Sequence, residues 1–168
     1  TTSGQGANVQ RLKCCFVPVT SSSNPAITGS IWAEFRVRMT TTIVSQLFIG
    51  LAASDTTVIA GGAQTTNNRI GWGSVTGDGV LLFQSDKAGT GTTQASTTIS
   101  TSAWKRLGFY YDAYADTIQQ YVDGVATGTA IATANVPKLA MFPTFVAQAA
   151  GTGQPVLNIG GCRIFQLR

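Results

Sequence analysis

The stretch "WKRLGFYYDAYADTIQQYVDGV", residues 104–125, decides the fold. Leu107, Phe109 and Tyr111 alternate with Arg106, Gly108 and Tyr110, which is the two-residue period of a strand with one buried face. "DAYAD" (112–116) turns the chain, since Asp favours turns by hydrogen-bonding nearby backbone. Ile118 to Val122 returns it, and Asp123-Gly124 supplies the positive-φ residues that a tight hairpin turn requires.

The same reading extends outward. "SIWAEFRVRMT" (30–40) alternates cleanly: Ile31, Ala33, Phe35, Val37 and Met39 share one face, and Trp32, Glu34, Arg36 and Arg38 the other. "IVSQLFIGLAA" (43–53) is more continuously apolar and is predicted to be a buried central strand. "LKCCFVPV" (12–19) reads as a first strand near an edge, because Pro18 cannot donate to a ladder. "NRIGWGS" (68–74) and "VLLFQS" (80–85) are short strands flanking the turn "TGDG" (76–79). "KAGTGTTQAS" (87–96) reads as a Gly/Thr loop. "VATGTAIAT", "LAMFPTFVA" and "VLNIGGCRIFQL" complete the set, with Gly160-Gly161 predicted to form a bulge. No helical periodicity exceeds two turns. About ten to twelve short strands at regular spacing predict an all-β fold, a two-sheet antiparallel β-sandwich. Residues 12–168 are read as a single domain, and the polar, Gly-containing residues 1–11 as an N-terminal arm.

Composition agrees. The 168 residues suffice for one domain with a core. Charged residues make up only 11%, against about 25% in a typical domain, and Ser, Thr and Gly fill the gap. A surface kept wet by hydroxyls suits strands and leaves room for partners to cover it. The net charge of +4 is scattered, without a basic run, so no nucleic-acid partner is expected. No stretch approaches the ~20 apolar residues of a membrane helix, so no membrane partner is expected. Cys14, Cys15 and Cys162 do not make a disulfide framework; buried, reduced thiols are expected.

Chemically active residues are scarce. The chain has no histidine, which removes Ser–His and Cys–His nucleophilic systems and His-based metal sites. Glu34 is the sole glutamate and is expected to pair across strands with an arginine. The aspartates are Asp55, Asp78, Asp86, Asp112, Asp116 and Asp123. Only Asp112 and Asp116, in one turn, suggest a calcium pair. No catalytic residue, metal or cofactor is therefore expected, and the chain is not read as an enzyme. "GQGANV" and "GTGTTQ" lack the strand or the lysine that phosphate-binding loops need. Trp32, Trp72 and Trp104 are expected to pack in the core; if any stacks on a sugar, Trp32 is the candidate, since it shares a face with charged residues.

The string W-x-R-L-G-F-Y-Y-D followed by Y-V-D-G-V resembles the concanavalin A-like and laminin-G-like jelly-roll superfamily. "LFIGLAASDTTVIAG" (47–61), "NRIGWGS", "VPKLAMFPTFVAQ" (136–148) and the final "VLNIGGCRIFQLR" are similar to segments of tailed-bacteriophage head-associated proteins with this fold. That resemblance implies a non-enzymatic virion structural protein, a capsid decoration subunit assembled in the host cytoplasm. Its implied partners are the major capsid protein or other virion subunits, and further copies of itself as a homo-oligomer. Gln5, Asn8 and Arg11 of the arm are the expected assembly contacts. The alternative is a carbohydrate-binding, lectin-like module of a phage fibre or spike, using Trp32.

Overall fold

The computed structural model describes residues 8–10, 16, 29–40, 45–54, 58–60, 63–64, 68–74, 79–101, 103–149 and 156–167. The strands are β1 (Asn8–Gln10), β2 (Ile31–Met39), β3 (Ser45–Ala52), β4 (Ile59–Ala60), β5 (Ala63–Gln64), β6 (Arg69–Ser74) and β7 (Val80–Lys87). They continue with β8 (Thr90–Thr98), β9 (Lys105–Asp112), β10 (Thr117–Val122), β11 (Val125–Ala132), β12 (Phe142–Ala149) and β13 (Leu157–Gln166). Six form one sheet in the order β1-β12-β3-β6-β7-β8, and five form a second in the order β11-β10-β9-β2-β13; β4 and β5 pair separately. Every pairing is antiparallel.

The decisive stretch folds as its pattern dictates. Leu107, Phe109 and Tyr111 are buried between the sheets. Asp112 Oδ1 accepts hydrogen bonds from the Tyr114 and Ala115 amides at 2.9 and 3.1 Å, closing the first turn. Asp123 and Gly124, at φ 53° and 87°, make the second. From β2, Ile31, Ala33, Phe35, Val37 and Met39 face the same core, opposite Leu47, Ile49 and Leu51 of β3. At its centre lies Trp72 of β6, tilted on Phe83 at 4.9 Å between ring centroids and edge-on to Phe35 at 6.4 Å. Its indole N–H donates to Ser96 Oγ at 3.0 Å, so the one polar atom of the ring is satisfied. β3 occupies the predicted central position, and the register slips between Ile159 and Gly161 where the bulge was predicted.

Four expectations change. Residues 90–98, part of which reads as loop, form strand β8 at a sheet edge: Ala88 (φ 49°) and Gly89 (φ 89°) make a tight turn, and Thr pairs well on a pleated surface. Asn8–Gln10, placed in the arm, pair instead with Thr144–Val146 of β12, because an unpaired sheet edge offers backbone partners. Gln5 and Arg11 lie outside the described residues, as do Cys14 and Cys15; of "LKCCFVPV" only Phe16 is described, bridging to Met141. Cys162 is exposed rather than buried: it lies opposite the buried Phe35, but β13 is the edge strand of its sheet and leaves the side chain open to solvent. Glu34 lies opposite Arg163 in the β2–β13 ladder, yet makes no ion pair among the described residues.

Candidate functional site

The outer face of the five-stranded sheet gathers aromatic and charged side chains that the core does not use. On β2 the outward positions run Trp32, Glu34, Arg36, Arg38. In the adjoining ladders Trp32 pairs with Tyr110 and Phe165, Glu34 with Gly108 and Arg163, and Arg36 with Arg106 and Gly161.

Glycines shape the face at two points. Gly108 leaves the surface of β9 bare, and the Trp32 indole lies over it: a methyl group there would sit 3.4 Å from Trp32 Cζ2 and Cη2. The ring thereby spans β9 and meets Tyr121 of β10 edge-on, at 5.1 Å between centroids and 63° between planes. The result is a half-buried aromatic shelf. At the other end Gly160, in the bulge of β13, receives Trp104: a methyl group at Gly160 would fall 2.7 Å from Trp104 Cζ3. The Arg36 and Arg38 guanidiniums stand 4.9 and 5.0 Å from the centre of the Trp104 ring, a pair of cation–π contacts.

Between these features opens a cavity of about 440 Å³, lined by Glu34, Arg36, Trp104, Arg106, Asp123, Gly160, Gly161 and Arg163. Asp123 is firmly held. Its Oδ1 accepts from the Arg106 amide at 2.9 Å and its Oδ2 from Lys105 Nζ at 3.1 Å, while Arg106 Nη2 donates to its carbonyl at 3.1 Å. Partial burial works to raise its pKa, but the Arg106 amide, the Lys105 hydrogen bond and the two nearby cations outweigh it and hold the carboxyl below its usual 3.8. Arg36, Arg38 and Arg163 form no ion pair among the described residues.

Glu34 and Asp123 are the two carboxylates of the cavity.

The other expected sites fare differently. Trp72 is core, whereas Trp32 and Trp104 are only half buried and belong to this face. The suggested calcium pair is occupied by the protein itself. Asp112 caps its turn, and Asp116 accepts from Tyr111 Oη at 3.0 Å and from Lys138 Nζ at 2.7 Å. No group of three or more His, Cys, Asp or Glu side chains suited to a metal forms among the described residues. Asn8 lies in β1, an edge strand of the six-stranded sheet, and so is not part of this face. Sequence alternation put Trp32, Glu34, Arg36 and Arg38 on one face. It could not show that Tyr121, Trp104 and Arg163 join them, because that depends on strand order and on the bulge.

No protein-family model matches the sequence, and no curated protein matches it. Solved structures do match in shape. Peanut lectin is similar with a TM-score of 0.60 at 15% identity, over 94% of this chain and 78% of the lectin. A homodimeric agglutinin from chicken liver gives 0.51 at 8% identity, over 95% and 100%. A family-7 alginate lyase gives 0.62 at 9% identity, over 99% and 74%. At such identities these likenesses establish the lectin-type jelly-roll sandwich and leave the ligand open. They lend no support to the similarity with phage head proteins.

Proposed function

We propose that this protein is a carbohydrate-binding, lectin-like β-sandwich that holds a saccharide on the outer face of its five-stranded sheet and acts by binding, without turnover. The observation that carries the reading is the Trp32–Tyr121 shelf standing beside the cavity of about 440 Å³. A saccharide presents an apolar ring face bordered by hydroxyls. An aromatic surface with hydrogen-bonding groups at its rim complements both, and the cavity falls within the ~300–1,000 Å³ of small-ligand sites. The lectin-type fold supports the reading by analogy.

The test is an array of neutral and acidic oligosaccharides probed with wild type and Trp32→Ala. Wild type should bind a defined subset. The variant should lose about tenfold or more in affinity, since burying an aromatic side chain is worth about 1.5–3 kcal/mol. Failure of wild type to bind any saccharide refutes the proposal.

A second reading, a phage structural subunit docked on capsid protein or on its own copies, is favoured by one feature. Ile159, Phe165 and Leu167, on or next to β13, are 44%, 63% and 53% exposed. It requires the protein to be a high-copy component of purified particles, which mass spectrometry would detect; absence from the particle removes it.

A further inference from the structure

Building on the saccharide-binding reading, we infer that the cavity selects an acidic sugar, one carrying a carboxylate or a sulfate, and that Arg36 and Arg163, which line it, are the groups that recognise the anion, with Arg38 adding positive charge from its edge. The argument starts from unbalanced charge. Arg36 and Arg106 are directly cross-strand partners, an arrangement of like charges that weakens a sheet unless something offsets it. Arg38 adds a third guanidinium: it and Arg36 sit at one indole ring, 4.9 and 5.0 Å from its centre, so the two cations lie within about one Debye length of each other. Arg163 lines the same cavity from β13. Against these stand two carboxylates, and Asp123 is already committed to Lys105 and to the Arg106 amide. Glu34 remains as the one uncommitted anion among the described residues of the cavity.

The arrangement is also built rather than loose. Trp104 rests on Gly160 and lies within cation–π distance of both guanidiniums, which restrains them before any ligand arrives. Arg38 Nε is shielded from solvent and lacks a hydrogen-bond partner among the described residues, a donor left unsatisfied at the edge of the site. Planar guanidiniums held in this way match the two oxygens of a carboxylate or the oxygens of a sulfate. A neutral sugar would leave the clustered charge uncompensated. Glu34, next along β2 toward Trp32, is placed to accept from hydroxyls of a ring stacked on the shelf, so the anionic substituent would point away from the shelf, toward Arg36.

The experiment is calorimetric titration of the full chain with three probes: a galacturonic acid tetrasaccharide, the methyl ester of that tetrasaccharide, and a sulfated galactose tetrasaccharide. A single-stranded oligonucleotide serves as a non-sugar anion. Wild type, Arg36→Gln, Arg163→Gln and Trp32→Ala are compared, with circular dichroism verifying that each folds. The acid or the sulfated probe should bind at least tenfold more tightly than the ester, with affinity falling as salt rises. Each arginine variant should lose roughly tenfold for the charged sugar and little for the ester. Trp32→Ala should weaken every sugar. The arms for carboxylate and sulfate identify which anion the site prefers. Equal binding of acid and ester overturns the selectivity for anions while leaving saccharide binding in place. Binding of the oligonucleotide with no sugar bound overturns both.

Discussion

A single methyl group placed at either of two adjacent glycines should have opposite effects. Neither Gly160 nor Gly161 has a positive φ, so alanine fits the backbone at both. At Gly161 the new methyl meets nothing within 4 Å. Reduced freedom of the unfolded chain then stabilises the protein by about 0.4–1 kcal/mol. At Gly160 the methyl falls 2.7, 3.0 and 3.2 Å from three carbons of the Trp104 ring. Carbon atoms rest comfortably at about 3.5–4.0 Å, so the ring must retreat by roughly 1 Å. A rigid indole cannot do this by bending, and overpacking of this kind costs about 1–3 kcal/mol. The retreat also disturbs the contacts with Arg36 and Arg38, worth about 0.5–1 kcal/mol each at a partly exposed site. The two alanine variants should therefore differ by roughly 2–3 kcal/mol, with Gly161→Ala the more stable. For a chain of this length that corresponds to about 4–12 °C in melting temperature. Urea unfolding followed by circular dichroism measures the difference, and the tryptophan emission of Gly160→Ala should shift as Trp104 moves. Equal midpoints for the two variants would refute the packing of Trp104 on the bulge, and with it the preorganised arginine pair.

Other consequences are as specific. Trp72→Ala should cost about 3–5 kcal/mol in urea unfolding, because the ring is fully buried among Phe35, Phe83 and Phe109 and leaves Ser96 without its donor. Asp86→Ala should cost about 1.5–3 kcal/mol, since it removes a carboxylate 2.6 Å from the Arg69 guanidinium, whose side chain is 7% exposed; a loss under about 1 kcal/mol would show that the pair is solvated. Asp123 has a lowered pKa in the folded state, so the unfolded chain binds more protons below about pH 4. Its contribution is complete above the ordinary value of 3.8 and is lost as pH falls through the folded one. Wild type and Asp123→Asn should therefore differ most above pH 4 and converge in stronger acid. The gap is modest because the carboxylate is about half exposed; a gap that widens on acidification contradicts the assignment.

How far the sequence reaches is clearest strand by strand. The Leu107–Tyr111 and Ile31–Met39 alternations announce their buried faces because a strand's side-chain period is fixed by covalent geometry. Asp123-Gly124 and Gly160-Gly161 announce a turn and a bulge because those backbone shapes strongly favour particular residues. Thr90–Thr98 misleads for the converse reason. Its Gly and Thr content is shared by loops and edge strands, and only pairing with β7 distinguishes the two. Cys162 is exposed although it lies opposite the buried Phe35, because β13 is an edge strand, and only the strand order reveals that.

The sequence by itself determined a β-sandwich: local alternation and turn chemistry act over a few residues and leave few folds open. It also placed Trp32, Glu34, Arg36 and Arg38 together, because they lie at alternate positions of one strand. Only the tertiary structure decided that Tyr121, Trp104, Arg106, Asp123 and Arg163 stand around them. Those residues come from β9, β10, β13 and the turns beside them, and their meeting is set by strand order, register and the Gly160 bulge. These are long-range pairings, held by the energy of the whole sheet, and no short window of sequence encodes them.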